Sequence, residues 1–124
     1  MKGRENTIRV QHVRHEIQIP KGDQGGRRIH SPLCITKVID RSSPQLEQAM
    51  VTGEVLSQVT VRWYRIDEKG HEEHYYTILL EKARITAISL DMETESVSLS
   101  YQKITWRWEH PVIETMDLWD EPKG

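Results

Sequence analysis

The chain contains no phenylalanine, and hydrophobic residues make up only 36% of it. A core built from such a sequence is lean, and four tryptophans and four tyrosines carry most of its large apolar surface. A polar sheet protein of this kind keeps one sheet face wet or completes its burial against neighbouring subunits. Cysteine is nearly absent: Cys34 stands alone, so no intrachain disulfide can form. A disulfide-stapled secreted fold is excluded, and folding in a reducing cytoplasm fits. Within the apolar run Leu33-Cys34-Ile35 the thiol reads as a small core residue. A one-signed charge is also missing. Seventeen Lys and Arg against 19 Asp and Glu leave a net charge of −2, without the basic stripe that nucleic-acid binding needs. The one basic cluster, residues 21–28, is short. No stretch approaches the ~18 apolar residues of a membrane span, and the first six residues lack an apolar core for a Sec-type signal. Neither membrane insertion nor Sec export is expected; a chain that leaves the cell uses a route that needs neither.

The motifs of several enzyme classes are missing too. There is no Gly-x-Ser-x-Gly, no Walker loop and no dinucleotide fingerprint. Cys34 has no His partner that would make a nucleophile of it. Two histidine pairs, His12 with His15 and His71 with His74, invite a metal reading. Both are spaced i, i+3 in strand-like sequence, which points the two side chains to opposite faces. His71-Glu72-Glu73-His74 also falls one residue short of the zincin motif. Carboxylates are plentiful but sit at turns or on wet faces, and nothing selects two of them as an acid/base pair. The expectation is a protein without catalytic residues, metal or cofactor.

The residues that are present read as strands. Residues 6–19 form one strand whose apolar parity flips near His12, which suggests a bulge there. Residues 20–26, rich in Gly and opened by Pro20, form a loop. Residues 28–39 form a second strand with Ile29, Leu33, Ile35 and Ile39 on one parity, and Pro32 marks an edge or bulge. A helix of about two and a half turns follows, with Ser43 as N-cap, Pro44 as the first helical residue, Leu46, Ala49 and Met50 on one face, and Gly53 at its end. Residues 55–66 alternate, with Val55, Val59, Val61 and Trp63 on one side, and residues 67–70 make a hairpin turn. Residues 71–80 and 83–90 read as two strands, 91–95 as a turn, and 96–108 as one strand. In that strand Trp106 and Trp108 share a face while Arg107 faces away. The pair reads as core first and as a sticky recognition surface second, since tryptophan is enriched at interface hot spots. The tail from 109 is mixed and ends polar. Together these make one mostly β, antiparallel domain over residues 1–124: a small barrel of two packed sheets with one short helix, closed so that its edges are hidden.

Three ordered strings resemble the haemolysin-coregulated protein (Hcp) family of bacterial type VI secretion. The first is Arg28-Ile29-His30-Ser31-Pro32, then Ile35-Thr36-Lys37-Val38-Ile39-Asp40, then Ser42-Ser43-Pro44-Gln45-Leu46. The second is Trp63-Tyr64-Arg65-Ile66 with Gly70 and Tyr75-Tyr76-Thr77, and the third is Val97-x-Leu99-x-Tyr101-x-Lys103-Ile104-Thr105-Trp106. The likeness runs over roughly residues 7–108. It implies a phage-tail-tube-like barrel that assembles as a hexameric ring, rings that stack into the tube, effector cargo in the lumen, and contacts with sheath and spike. The protein would be made in the cytoplasm and secreted through the type VI apparatus. The loop at 20–26 is similar to the family's extended loop, which implies assembly roles for Lys21, Asp23, Arg27 and Arg28. Two departures stand out: the family's first strand, ahead of the sequence at Lys2-Gly3, is lacking, and the turn at 91–95 is short. A trimmed or engineered chain, a divergent natural copy and a sequence that omits residues all account for these; a divergent copy would put ring formation in question. The alternative is a non-assembling monomeric adaptor or cargo-binding module of the same fold.

Overall fold

The computed structural model describes residues 7–19 and 28–119. They form nine strands and one helix: β1 (His12–Arg14), β2 (Ile17–Gln18), β3 (Ile29–His30), β4 (Leu33–Val38), α1 (Ser43–Thr52), β5 (Leu56–Ile66), β6 (Glu72–Asp91), β7 (Thr94–Ser100), β8 (Lys103–Trp108) and β9 (Ile113–Leu118). Every strand pairing is antiparallel. The expected class, mostly β with one short helix, is what forms. No helix among the described residues is long and apolar enough to cross a membrane. The chain divides into two compact units, residues 1–54 with 84–100 and residues 55–83 with 101–124.

In the first unit the strands run in the order β1-β4-β7-β6, using the 84–91 part of β6. Leu33 and Ile35 of β4 stand opposite Leu99 and Val97 of β7, and Ile85 continues the row. Burying each such side chain contributes roughly 1.5–3 kcal/mol. Cys34 lies on the other parity and is half-buried, not core. The expected strand over 6–19 is two short strands that pair differently, β1 with β4 and β2 with β3. The break falls at Glu16 because its backbone is claimed by Ser31. The Ser31 hydroxyl accepts from the Glu16 N–H at 3.0 Å, and the Ser31 N–H donates to the Glu16 carbonyl at 2.9 Å. The expected strand over 28–39 is interrupted at Ser31 and Pro32 for the same reason, together with the donor that proline lacks.

Helix α1 ends where Gly53 says it should and begins at Ser43, one residue ahead of Pro44. Gly53 takes the left-handed conformation (φ 69°), and the Gly53 and Glu54 N–H groups close on Met50 and Ala49 carbonyls. The N-cap, however, is Ser42, and its side chain makes no capping bond. Ser43 is buried and its hydroxyl is drawn into a polar cluster described below.

In the second unit the order is β5-β6-β8-β9, using the 72–83 part of β6. The alternation expected for 55–66 is present, with Val59, Val61 and Trp63 more buried than their neighbours. Asp67 shapes the hairpin turn by accepting from the Lys69 and His71 N–H groups, and Gly70 supplies positive φ (81°). The strands expected at 71–80 and 83–90 are one continuous β6; Lys82, at φ 52°, marks the gap seen in the sequence. The strand expected over 96–108 is split at Tyr101 and Gln102 into β7 and β8. Ile78, Leu80, Ala83, Tyr101 and Ile104 are buried here. The tail, read as mixed, supplies β9, which pairs with β8 along its whole length.

Candidate assembly surfaces

Of the loop residues expected at an assembly contact, Lys21, Asp23 and Arg27 lie outside the described residues, and Arg28 is exposed just ahead of β3. The two tryptophans sit on one face of β8 as expected, in register with Ile78 and Tyr76 of β6 on one side and Thr115 and Ile113 of β9 on the other. Trp106 is half-buried and Trp108 is 37% exposed. Trp108 meets the Tyr75 ring edge-on at 6.1 Å, and the Arg65 guanidinium lies 4.7 Å from the Tyr75 ring and 5.5 Å from the Trp108 ring. Glu73 accepts from Arg65 Nε at 3.3 Å. Each cation–π contact of this kind is worth about 0.5–1 kcal/mol at an exposed site. Tyr, Trp and Arg are therefore gathered at one surface, partly shared between core and solvent.

Beside them lies the feature that the sequence reading missed. β9 pairs with β8 on one side only, among the described residues, and it exposes large apolar side chains: Ile113 64%, Met116 61% and Leu118 59%. An edge strand with free backbone groups and apolar side chains is a template for pairing with another chain.

Two polar clusters stand elsewhere. In the first unit Lys37 and Glu95 are cross-strand partners on the core face, and both side chains are wholly buried. Lys37 Nζ donates to Glu95 Oε1 at 2.5 Å and lies 3.1 Å from Asp40; the Ser43 hydroxyl donates to the same Glu95 oxygen at 2.7 Å. Burial disfavours the Lys37 charge, but the bonds to Glu95 and Asp40 outweigh it and hold the ammonium above its ordinary pKa. In the second unit Thr77 donates to Glu109 at 2.5 Å. Its one hydroxyl proton is thus committed, so His74 Nε2, 2.7 Å away, must donate to Thr77. With its proton on that nitrogen, the imidazole does not serve as a base toward the hydroxyl. His15, between β1 and β2, and His30 of β3 meet with ring centroids 6.3 Å apart. Among the described residues no group of three or more His, Cys, Asp or Glu side chains could hold a metal.

The family model described as type VI secretion system effector, Hcp, matches residues 1–108. The chain belongs to the Hcp family. A curated Hcp relative from Pseudomonas aeruginosa, "Major exported protein", is 38% identical over 137 aligned residues that cover 98% of this chain and 80% of the relative. Among solved structures, the secreted protein Hcp3 from Pseudomonas aeruginosa matches with a TM-score of 0.87 and 40% identity, over 97% of this chain and 80% of that one. The Hcp1 protein from E. coli EAEC 042 matches with a TM-score of 0.89 and 35% identity, over 95% and 85% of the two chains. The Hcp resemblance carried by the three sequence strings is thereby established, and with it the Hcp fold. The aromatic cluster and the β9 edge are features of this Hcp chain's own surface.

Proposed function

We propose that this Hcp chain is a structural, non-catalytic subunit of the type VI secretion tube. It assembles as hexameric rings that stack, holds effectors in the ring lumen, and leaves the cell through the type VI apparatus with the spike ahead of it. Family membership over nearly the whole chain is the observation that carries this reading. The lean core, the polar sheet faces and the apolar β9 edge support it, since each is completed by neighbouring subunits. Lys21, Asp23, Arg27 and Arg28 are the assembly-loop residues in this reading, and Trp106 and Trp108 mark a second contact. The test is export. In a bacterium with a working type VI system, the chain accumulates in the culture medium, and removal of the contractile sheath keeps it in the cells. Equal release with and without the sheath contradicts the reading.

A further inference from the structure

The sheet of the first unit has a second face. Leu33 and Ile35 of β4, Val97 and Leu99 of β7 and Ile85 of β6 fill its core side, so the residues between them point the other way. Along β4 and β7 those residues are small. Cys34 stands opposite Ser98 and Thr36 opposite Ser96, with Ser100 next along β7. All five are half-buried, and together they make a floor without one large side chain. The hydroxyls of Ser98 and Ser100 bond to no other described residue. Two arginines stand on the margins. Arg14 of β1 is in register with Cys34, and Arg84 of β6 is in register with Ser100. β1 and β6 flank β4 and β7, so the margins are three strand spacings, about 14 Å, apart.

Both arginines are exposed, and neither has an ion-pair partner among the described residues. Asp91 is the one carboxylate in register on this face, and it lies at the far end, opposite Thr94. A floor of small side chains lets another backbone lie close, and its hydroxyls can donate to or accept from peptide groups. The width takes one extended chain. Guanidinium groups along its margins select carboxylates, which they bind through two parallel bonds. Nucleic acid fits less well, because no Tyr or Trp among the paired residues of this face offers a base a stacking platform. We propose that this face of the β1-β4-β7-β6 sheet binds an extended, acidic segment of a partner protein. That the partner is the tube's cargo rests on the tube reading; the binding itself does not.

The probe is a fluorescein-labelled peptide of alternating glutamate and serine, followed by anisotropy against the full chain. A peptide with lysine in place of glutamate and a single-stranded oligothymidylate serve as comparators. The glutamate peptide should bind and the lysine peptide should not. Arg14→Glu together with Arg84→Glu should weaken the glutamate peptide by about tenfold or more, because two attractive contacts become repulsive. Arg62→Glu, which reverses an exposed arginine of the second unit, should leave the affinity unchanged. Cys34, the only cysteine, gives a reading that needs no variant. Saturating glutamate peptide should slow its alkylation by iodoacetamide, and the lysine peptide should not. No binding, binding that leaves Cys34 unprotected, an equal loss in R62E, or tighter binding of the oligonucleotide overturns the proposal. Light scattering on the same samples keeps the two readings apart. A monomer whose Cys34 is protected retains this site and removes the tube; a ring of six whose Cys34 stays unprotected retains the tube and removes this site.

Discussion

Lys37 and Glu95 occupy the two positions where alternation along β4 and β7 calls for apolar side chains, next to Leu33 and Ile35 and next to Val97 and Leu99. Their charges survive there because they neutralise each other and because Ser43 and Asp40 add bonds. A buried pair of this kind adds little net stability over an apolar pair, but removal of one partner strands the other. Lys37→Met should therefore cost about 3–5 kcal/mol, and Lys37→Met with Glu95→Leu should recover most of that loss. Urea unfolding at one fixed protein concentration measures both. A K37M loss under about 1 kcal/mol, or a double variant no better than the single one, would show that the pair does not anchor this sheet. The Ser43 hydroxyl serves this cluster, which explains why a residue read as a helix cap caps nothing.

Elements were legible in the sequence to the extent that one side was buried. Alternation at Val59, Val61 and Trp63 located β5, and Pro44 with Gly53 located α1, because both signals are local. The break between β1 and β2 was hidden, because it is made by Ser31, fifteen residues away from Glu16. β9 was hidden for another reason: five of its six side chains are exposed, so no period of two arises from residues 113–118. That same exposure makes β9 the best candidate contact outside the loop. Ile113→Glu and Met116→Glu should each leave the unfolding free energy of the isolated chain within about 0.5 kcal/mol, as for other surface changes. Both should abolish higher-order species in sedimentation velocity. Normal assembly of these variants would remove β9 from the interface.

At the scale of the whole molecule, the family identity was legible because it rests on ordered strings spread through the chain. The aromatic pair on β8 was legible as a choice between core and surface; Trp106 is half-buried and Trp108 is 37% exposed. Lys21, Asp23, Arg27 and Arg28 were nameable as assembly candidates only through the resemblance, since a glycine-rich stretch of sequence has no periodicity of its own. A closed ring requires head-to-tail contacts between two different patches, and the β9 edge is one available patch. The measurement that tests this account most directly is the mass in solution, by light scattering after size exclusion over a range of concentrations. One chain is 14.6 kDa, so a ring of six is roughly 88 kDa, and a stable species of that mass is the predicted result. A monomer at every concentration would contradict it and put the non-assembling adaptor in its place.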